Sequence, residues 1–447
     1  MISGRANETK YLENCYNREG SQMLVVYGRE GVGKTSLLMD FVTGKEYDYY
    51  LARSVSEKEQ LSLIAGEMEC ESSYDAVISK ILSVHCRKKI VIIDEFHHAV
   101  KNSQSFMDEM VQLLHRSWDN QPVLLILCSS AFSWVENDMV SQIGQAAYEI
   151  TGFLKIKELS FLDLVRYFSG YSTRDCMSIY GVLGGVPRLW KAFDKSLSVE
   201  ENIIRAIIQK DGPLHGQALF EISERLREPA VYHTIISRMA AGEDKLNDIH
   251  ASTGFSRAKI SVYLKNLMEL EITEKVYSVD VKGRDNARKG IYRIKNHLIA
   301  FWFTFVFPHL SALEFMDGKE FYDAYVADSL RHFEAPFFKD VCREFMSLMN
   351  RSGALPIPVG DIGCWSGKTG DIDILASAND GRTIAGVCCW DKDTVTFEDF
   401  EWLEFCLKQA KVSADYIYMF TGGGFDDRLL DMADNDKSLK LIDPNML

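Results

Sequence analysis

Apolar residues along this chain fall into short runs of strand character separated by longer stretches with helical spacing. Residues 23–27, 47–51, 89–93 and 122–128 are rich in Val, Ile, Leu and Tyr, the composition of strands buried in a sheet. Between them, residues 36–41 begin a helix, and residues 56–84 repeat apolar positions at helical intervals, among them Leu61, Ile64, Met68, Val77, Ile81 and Val84. This alternation predicts a parallel sheet covered on both faces, with any ligand at the carboxyl ends of its strands. Residues 155–200 are helical in pattern. Helical spacing returns over 245–251 and 256–270, where Ile260, Leu264 and Leu267 share a face, and two strand-like segments follow at 276–281 and 291–294. The last third starts with the apolar segment 301–307 and a helix from about 322 to 349. Strand-like stretches at 370–375, 383–390 and 416–420 follow, with a helix around Phe400, Trp402, Leu403 and Phe405 before the last of them. The predicted fold class is α/β and multidomain.

Composition narrows the function classes. The chain has 447 residues, 47% hydrophobic and 26% charged, as in ordinary globular proteins. No apolar run reaches the length of a membrane span and no signal-peptide pattern opens the chain. The ten cysteines form no CxxC pairs, which fits a reduced, cytoplasmic setting rather than a disulfide framework. A formal charge of −14 excludes a surface that coats nucleic acid generally, so DNA contact requires a local basic patch.

Chemistry enters at Gly28-Arg29-Glu30-Gly31-Val32-Gly33-Lys34-Thr35, a fit to GxxxxGK[ST] placed between a strand and a helix. Gly28, Gly31, Val32, Gly33 and the residues through Ser36 would wrap backbone N–H groups around phosphates at a helix N-terminus. Lys34 would reach the β- and γ-phosphates of ATP, and Thr35 would ligate Mg²⁺. The strand at 90–93 then delivers Asp94 and Glu95. Asp94 suits the Mg²⁺ shell and Glu95 the polarisation of an attacking water. Ser129-Ser130, ending the next strand, offers either a γ-phosphate sensor or a simple turn. Further on, Thr253-Gly254-Phe255 between the two helical segments is a helix-turn-helix signal, with Arg257, Lys259 and Lys265 on polar faces. A hairpin tip carrying Lys282, Arg284, Arg288 and Lys289 completes a winged-helix pattern that would place a helix in a duplex groove and the wing on phosphates. A spacer or protein-contact role for the same module stays open.

Arg5 in an early Gly-Arg, the two nucleotide motifs and Gly184-Gly185-Val186-Pro187-Arg188 together resemble the archaeal-type ATPases of the AAA+/STAND branch. The resemblance implies that Arg5 lies near the nucleotide base and that Pro187 belongs to a helical lid. It gives His97 where that family commonly has Gln and assigns no arginine finger; Arg116 and Arg188 are candidates only, with a surface charge the simpler reading of Arg116. It also implies a division into an ATPase core (1–154), a lid (155–204), a winged helix (205–298) and a PD-(D/E)XK nuclease-like domain (299–447). In the last, Glu334 and Asp373 match the family's helical glutamate and metal-binding aspartate. The strand that reads Glu-Cys-Lys-Trp in the family is Val387-Cys388-Cys389-Trp390 here, so both charged groups are replaced and the domain is expected not to cut DNA. Adjacent Cys388 and Cys389 should point to opposite faces of their strand and serve structure. The leading expectation is an Mg²⁺-dependent ATP switch, self-associating as its relatives do. A nucleotide-gated DNA-binding regulator, an active nuclease using Glu334, Asp371 and Asp373, and an oligomeric scaffold are the alternatives.

Overall fold

The computed structural model describes residues 4–103, 105–118, 121–279 and 290–447. The chain divides into two compact units: Met1–Leu159 together with Val186–Arg188, and Ser160–Gly185 together with Leu189–Leu447.

The first unit is built on five strands, β1 (Gln22–Tyr27), β2 (Tyr47–Leu51), β3 (Lys89–Asp94), β4 (Val123–Ser129) and β5 (Ile150–Lys155). They lie in the order β2-β3-β4-β1-β5 and every pairing is parallel. The three inner strands are apolar on both faces because both faces are covered. Val25, Val91, Ile93, Leu125 and Leu127 pack with Ile64, Val77, Ile81 and Leu113 on one side. On the other, Leu24, Val26, Ile90, Ile92, Leu124 and Ile126 pack with Leu12, Leu37, Leu38 and Phe41. The predicted strand positions agree with β1 to β4. Strand β5 falls outside the predicted set because its mixed Ile-Thr-Gly-Phe pattern suits a half-exposed edge rather than a buried run. Residues 56–84 form two helices, Glu57–Glu67 and Tyr74–Leu82, each capped by a serine that accepts a backbone N–H.

In the second unit the helices Leu246–Thr253 and Arg257–Glu269 are joined through Gly254 in the left-handed region. Ser256 Oγ accepts the Lys259 N–H at 3.2 Å, and Ile260, Leu264 and Leu267 are buried as predicted. A hairpin follows, β6 (Thr273–Val276) with β7 (Ile291–Ile294). Its first strand begins and ends earlier than the predicted 276–281. Thr273 is buried, and the partner strand fixes the register at Thr273↔Ile294. Residues 280–289, and with them Lys282, Arg284, Arg288 and Lys289, lie outside the described residues.

The helix predicted from 322 to 349 is two helices, Gly318–Tyr325 and the long Ala327–Ser352. A five-stranded sheet follows: β8 (Ile362–Ser366), β9 (Asp371–Ser377), β10 (Thr383–Cys389), then β12 (Tyr416–Thr421) and β14 (Leu439–Ile442), with the short β11 (Thr394–Val395) and β13 (Gly424–Phe425) paired separately. Its order is β14-β12-β10-β9-β8, antiparallel from β8 to β10 and parallel from β10 to β14. Cys389 packs with Phe400 and Met419, whereas Cys388 meets Cys342 of the long helix, so the pair does face opposite ways. Among the described residues no helix is long and apolar enough to cross a membrane.

Candidate functional site

The loop after β1 is shaped by close backbone approach. A Cβ on Gly28 would lie 2.2 Å from the Ile156 carbonyl oxygen, which only glycine tolerates. Gly31 and Gly33 have φ of 81° and 97°, and Gly33 caps the helix Lys34–Phe41. Val32 is buried in the core beneath the loop, so it offers its backbone; Ser36 is exposed in the helix's first turn. Lys34 is buried, and its Nζ donates to the carbonyls of Gly28 at 2.9 Å and Arg29 at 3.2 Å. The loop thereby presents a helix N-terminus and an ammonium together, the requirements of a polyphosphate site.

Asp94 ends β3 on the face shared with Ile90, Ile92 and the loop helix. Its Oδ2 accepts the Thr35 hydroxyl at 2.8 Å and the Tyr49 hydroxyl at 2.9 Å. Its Oδ1 accepts the Glu95 backbone N–H at 2.9 Å. Cys128, at the same level of β4, lies against Asp94, and burial pushes its thiol well above the usual range. Thr35 and Asp94 therefore bring a hydroxyl and a carboxylate together beside the loop. That oxygen set suits Mg²⁺, which takes one or two protein oxygens and completes its shell with phosphates and water. Tyr49 and Cys128 were not singled out from the sequence; only the pairing of β2 and β4 beside β3 brings them here.

Glu95 follows with φ of 52°, a conformation that non-glycine residues rarely adopt and that turns its side chain toward the end of β4. Its Oε2 accepts both the backbone N–H and the hydroxyl of Ser130, each at 2.8 Å, and lies 3.3 Å from His97 Nδ1. His97 Nδ1 is also 3.0 Å from Ser129 Oγ. Burial raises the Glu95 pKa, but hydrogen bonds from His97 and Ser130 with the nearby Lys34 charge outweigh it and bring it to about 2. Glu95 is therefore a carboxylate at any physiological pH.

Arg5 sits beside the same loop. Its guanidinium donates to the carbonyls of Val32 at 2.8 Å and Lys157 at 2.7 Å and pairs with Glu8 at 3.1 Å. Pro187 starts the helix Pro187–Trp190, and the Arg188 N–H donates to the Gly31 carbonyl at 3.2 Å while its side chain pairs with Glu30. Arg116 makes an exposed ion pair with Asp75 at 2.7 Å.

In the second unit the singled-out carboxylates Asp373 and Glu334 have different partners. Asp373 Oδ1 is 2.6 Å from Lys339 Nζ, and its Oδ2 accepts the Cys388 N–H at 2.9 Å. Glu334 is buried elsewhere on the long helix, where its Oε2 accepts the Trp390 indole N–H at 2.7 Å and it approaches Ser178. Asp371 is exposed at the start of β9. Among the described residues no group of three or more His, Cys, Asp or Glu could hold a metal ion. Arg257 and Lys259 are exposed in the first turn of their helix, Arg257 bonded to Asn247 at 2.8 Å and Lys259 over the Phe255 ring.

Residues 24–147 match the family model of ATPases associated with various cellular activities (AAA). Residues 302–401 match a second model, described as Archaea bacterial proteins of unknown function. An uncharacterised protein of Methanocaldococcus jannaschii is 28% identical over 393 residues, 86% of each chain. Among solved structures, a Walker-type ATPase of Pyrococcus abyssi shares the fold with a TM-score of 0.51 at 16% identity, covering 68% of this chain and 96% of its own. The chain thus carries an AAA-type P-loop ATPase domain, whose family implies nucleotide binding, together with a separate C-terminal α/β domain.

Proposed function

We propose that this protein is an Mg²⁺-dependent ATPase whose nucleotide state acts as a switch on its C-terminal modules. The observation that carries the proposal is the meeting of Lys34, Thr35, Asp94 and Glu95 where the ends of β1, β3 and β4 adjoin. Backbone N–H groups of Gly28, Gly31, Val32, Gly33 and Ser36 surround the phosphates, and Lys34 moves its charge from two carbonyls to the β- and γ-oxygens. Thr35 and Asp94 hold Mg²⁺, which neutralises charge on the phosphates when bound. Glu95, ionised and aimed by Ser130, orients the attacking water. Arg5 and Pro187 flank the base. A fluorescent ATP analogue tests the assignment: wild type is expected to bind it and Lys34→Ala to lose it, while equal binding by both would refute the site.

The four-part organisation, self-association and a cytoplasmic setting belong to the same reading. Within it, residues 205–298 are a winged helix and residues 299–447 a PD-(D/E)XK-like fold without cleavage. The support for lost cleavage is that the Asp373 carboxylate already has an ammonium and a backbone N–H as partners. Duplex DNA is the partner that the exposed Arg257 and Lys259 would meet. Steeply salt-dependent binding to a duplex, weakened in Arg257→Glu and Lys259→Glu, supports this, and unchanged binding in both variants contradicts it.

A further inference from the structure

We infer that Tyr49 is a positioning residue for the cation side of this site, setting how much Mg²⁺ the protein needs to hold nucleotide. The inference rests on the reading of Thr35 and Asp94 as that cation side. Three hydrogen bonds orient the Asp94 carboxylate: Thr35 and Tyr49 hydroxyls on Oδ2 and the Glu95 N–H on Oδ1. Thr35 belongs to the loop helix and Glu95 to the turn beyond the strand. Tyr49 comes from a neighbouring strand, β2, whose parallel register with β3 pairs Tyr49 with Ile92 and Leu51 with Asp94.

Burial alone does not account for an aromatic ring at this position. Residues 47, 49 and 51 share one face of the edge strand, and Tyr47 and Leu51 are each 43% exposed. Tyr49 instead packs on the core beneath the loop helix and ends its hydroxyl on Asp94. A donor that fixes the rotamer of a cation-binding carboxylate acts as outer-shell partners do, and their loss costs roughly 10- to 100-fold in metal affinity.

The experiment is a titration with Mg²⁺ of N-methylanthraniloyl-ATP binding by wild type, Tyr49→Phe and Asp94→Asn, each started in EDTA. Tyr49→Phe is expected to bind the analogue in EDTA as wild type does and to need roughly 10-fold more Mg²⁺ for half of the cation-dependent gain. Asp94→Asn is expected to lose that gain. A wild-type Mg²⁺ response that Asp94→Asn abolishes and Tyr49→Phe leaves unchanged would overturn the assignment of Tyr49 alone. No Mg²⁺ response in wild type would overturn the reading of Thr35 and Asp94 beneath it. Weak binding by Tyr49→Phe already in EDTA would also overturn the inference, because the hydroxyl would then serve the fold and not the cation.

Discussion

Glu334 offers a stability test whose sign and size follow from its surroundings. The side chain is 1% exposed, and one carboxyl oxygen has no hydrogen-bond partner. It contacts Gly181 and Ser178 on the helix Thr173–Leu183, accepts the Trp390 indole, and feels Arg331 and Tyr322. Burial dominates and raises its pKa from 4.5 to about 7, against the hydrogen bonds from Ser178 and Trp390 and the Arg331 charge. The folded protein therefore keeps this proton at pH values where the unfolded chain has released it. Stability falls as pH rises from about 4.5 to about 7, by about 3 kcal/mol in all. Glu334→Gln carries no charge at any pH and keeps an acceptor for Trp390. Its new NH₂ group takes the place of the oxygen that has no partner, at a cost of about 1 kcal/mol that is common to both pH values and cancels. Denaturant unfolding followed by circular dichroism should show the variant gaining on wild type by about 2–3 kcal/mol between pH 5 and pH 8. A difference that is the same at both pH values, or that moves the other way, would refute the argument that a buried charge is at stake.

Three further outcomes follow from the geometry. Gly28→Ala must displace the Ile156 carbonyl 2.2 Å from the new Cβ, at a cost of about 1–3 kcal/mol or more, and should abolish nucleotide binding in calorimetry. Gly66→Ala, which meets nothing within 4 Å, should leave binding intact. Supercoiled plasmid incubated with the protein and Mg²⁺ or Mn²⁺ should remain supercoiled; nicking that Asp373→Ala abolishes would show that the C-terminal domain cuts.

The phosphate loop and the Asp94-Glu95 strand end were legible in the sequence because each is a local pattern between elements of clear character. Ile260, Leu264 and Leu267 were legible for the same reason, as one face of one helix. What could not be read lies between elements. Tyr49 counted only as part of a strand, since its hydroxyl finds Asp94 through the β2–β3 register. Lys339 is an unremarkable polar position on a long helix until the fold sets it against Asp373, the residue that the resemblance matches to a metal-binding aspartate. Glu334 matched a helical glutamate by position, yet the packing of the helix Thr173–Leu183 turns it to Trp390 and Ser178. Strands β5, β8 and β14 carry too much Gly, Ser, Thr or Lys to stand out, and they pair because a neighbouring strand presents a ladder to them.

The central claim is that Lys34, Asp94 and Glu95 form one hydrolytic site, and the direct measurement is Mg²⁺-dependent ATP turnover by wild type, Lys34→Ala and Glu95→Gln. The account requires turnover in wild type and its loss in both variants, with Glu95→Gln still binding nucleotide. Undiminished turnover in Glu95→Gln, or turnover that survives Lys34→Ala, would contradict it.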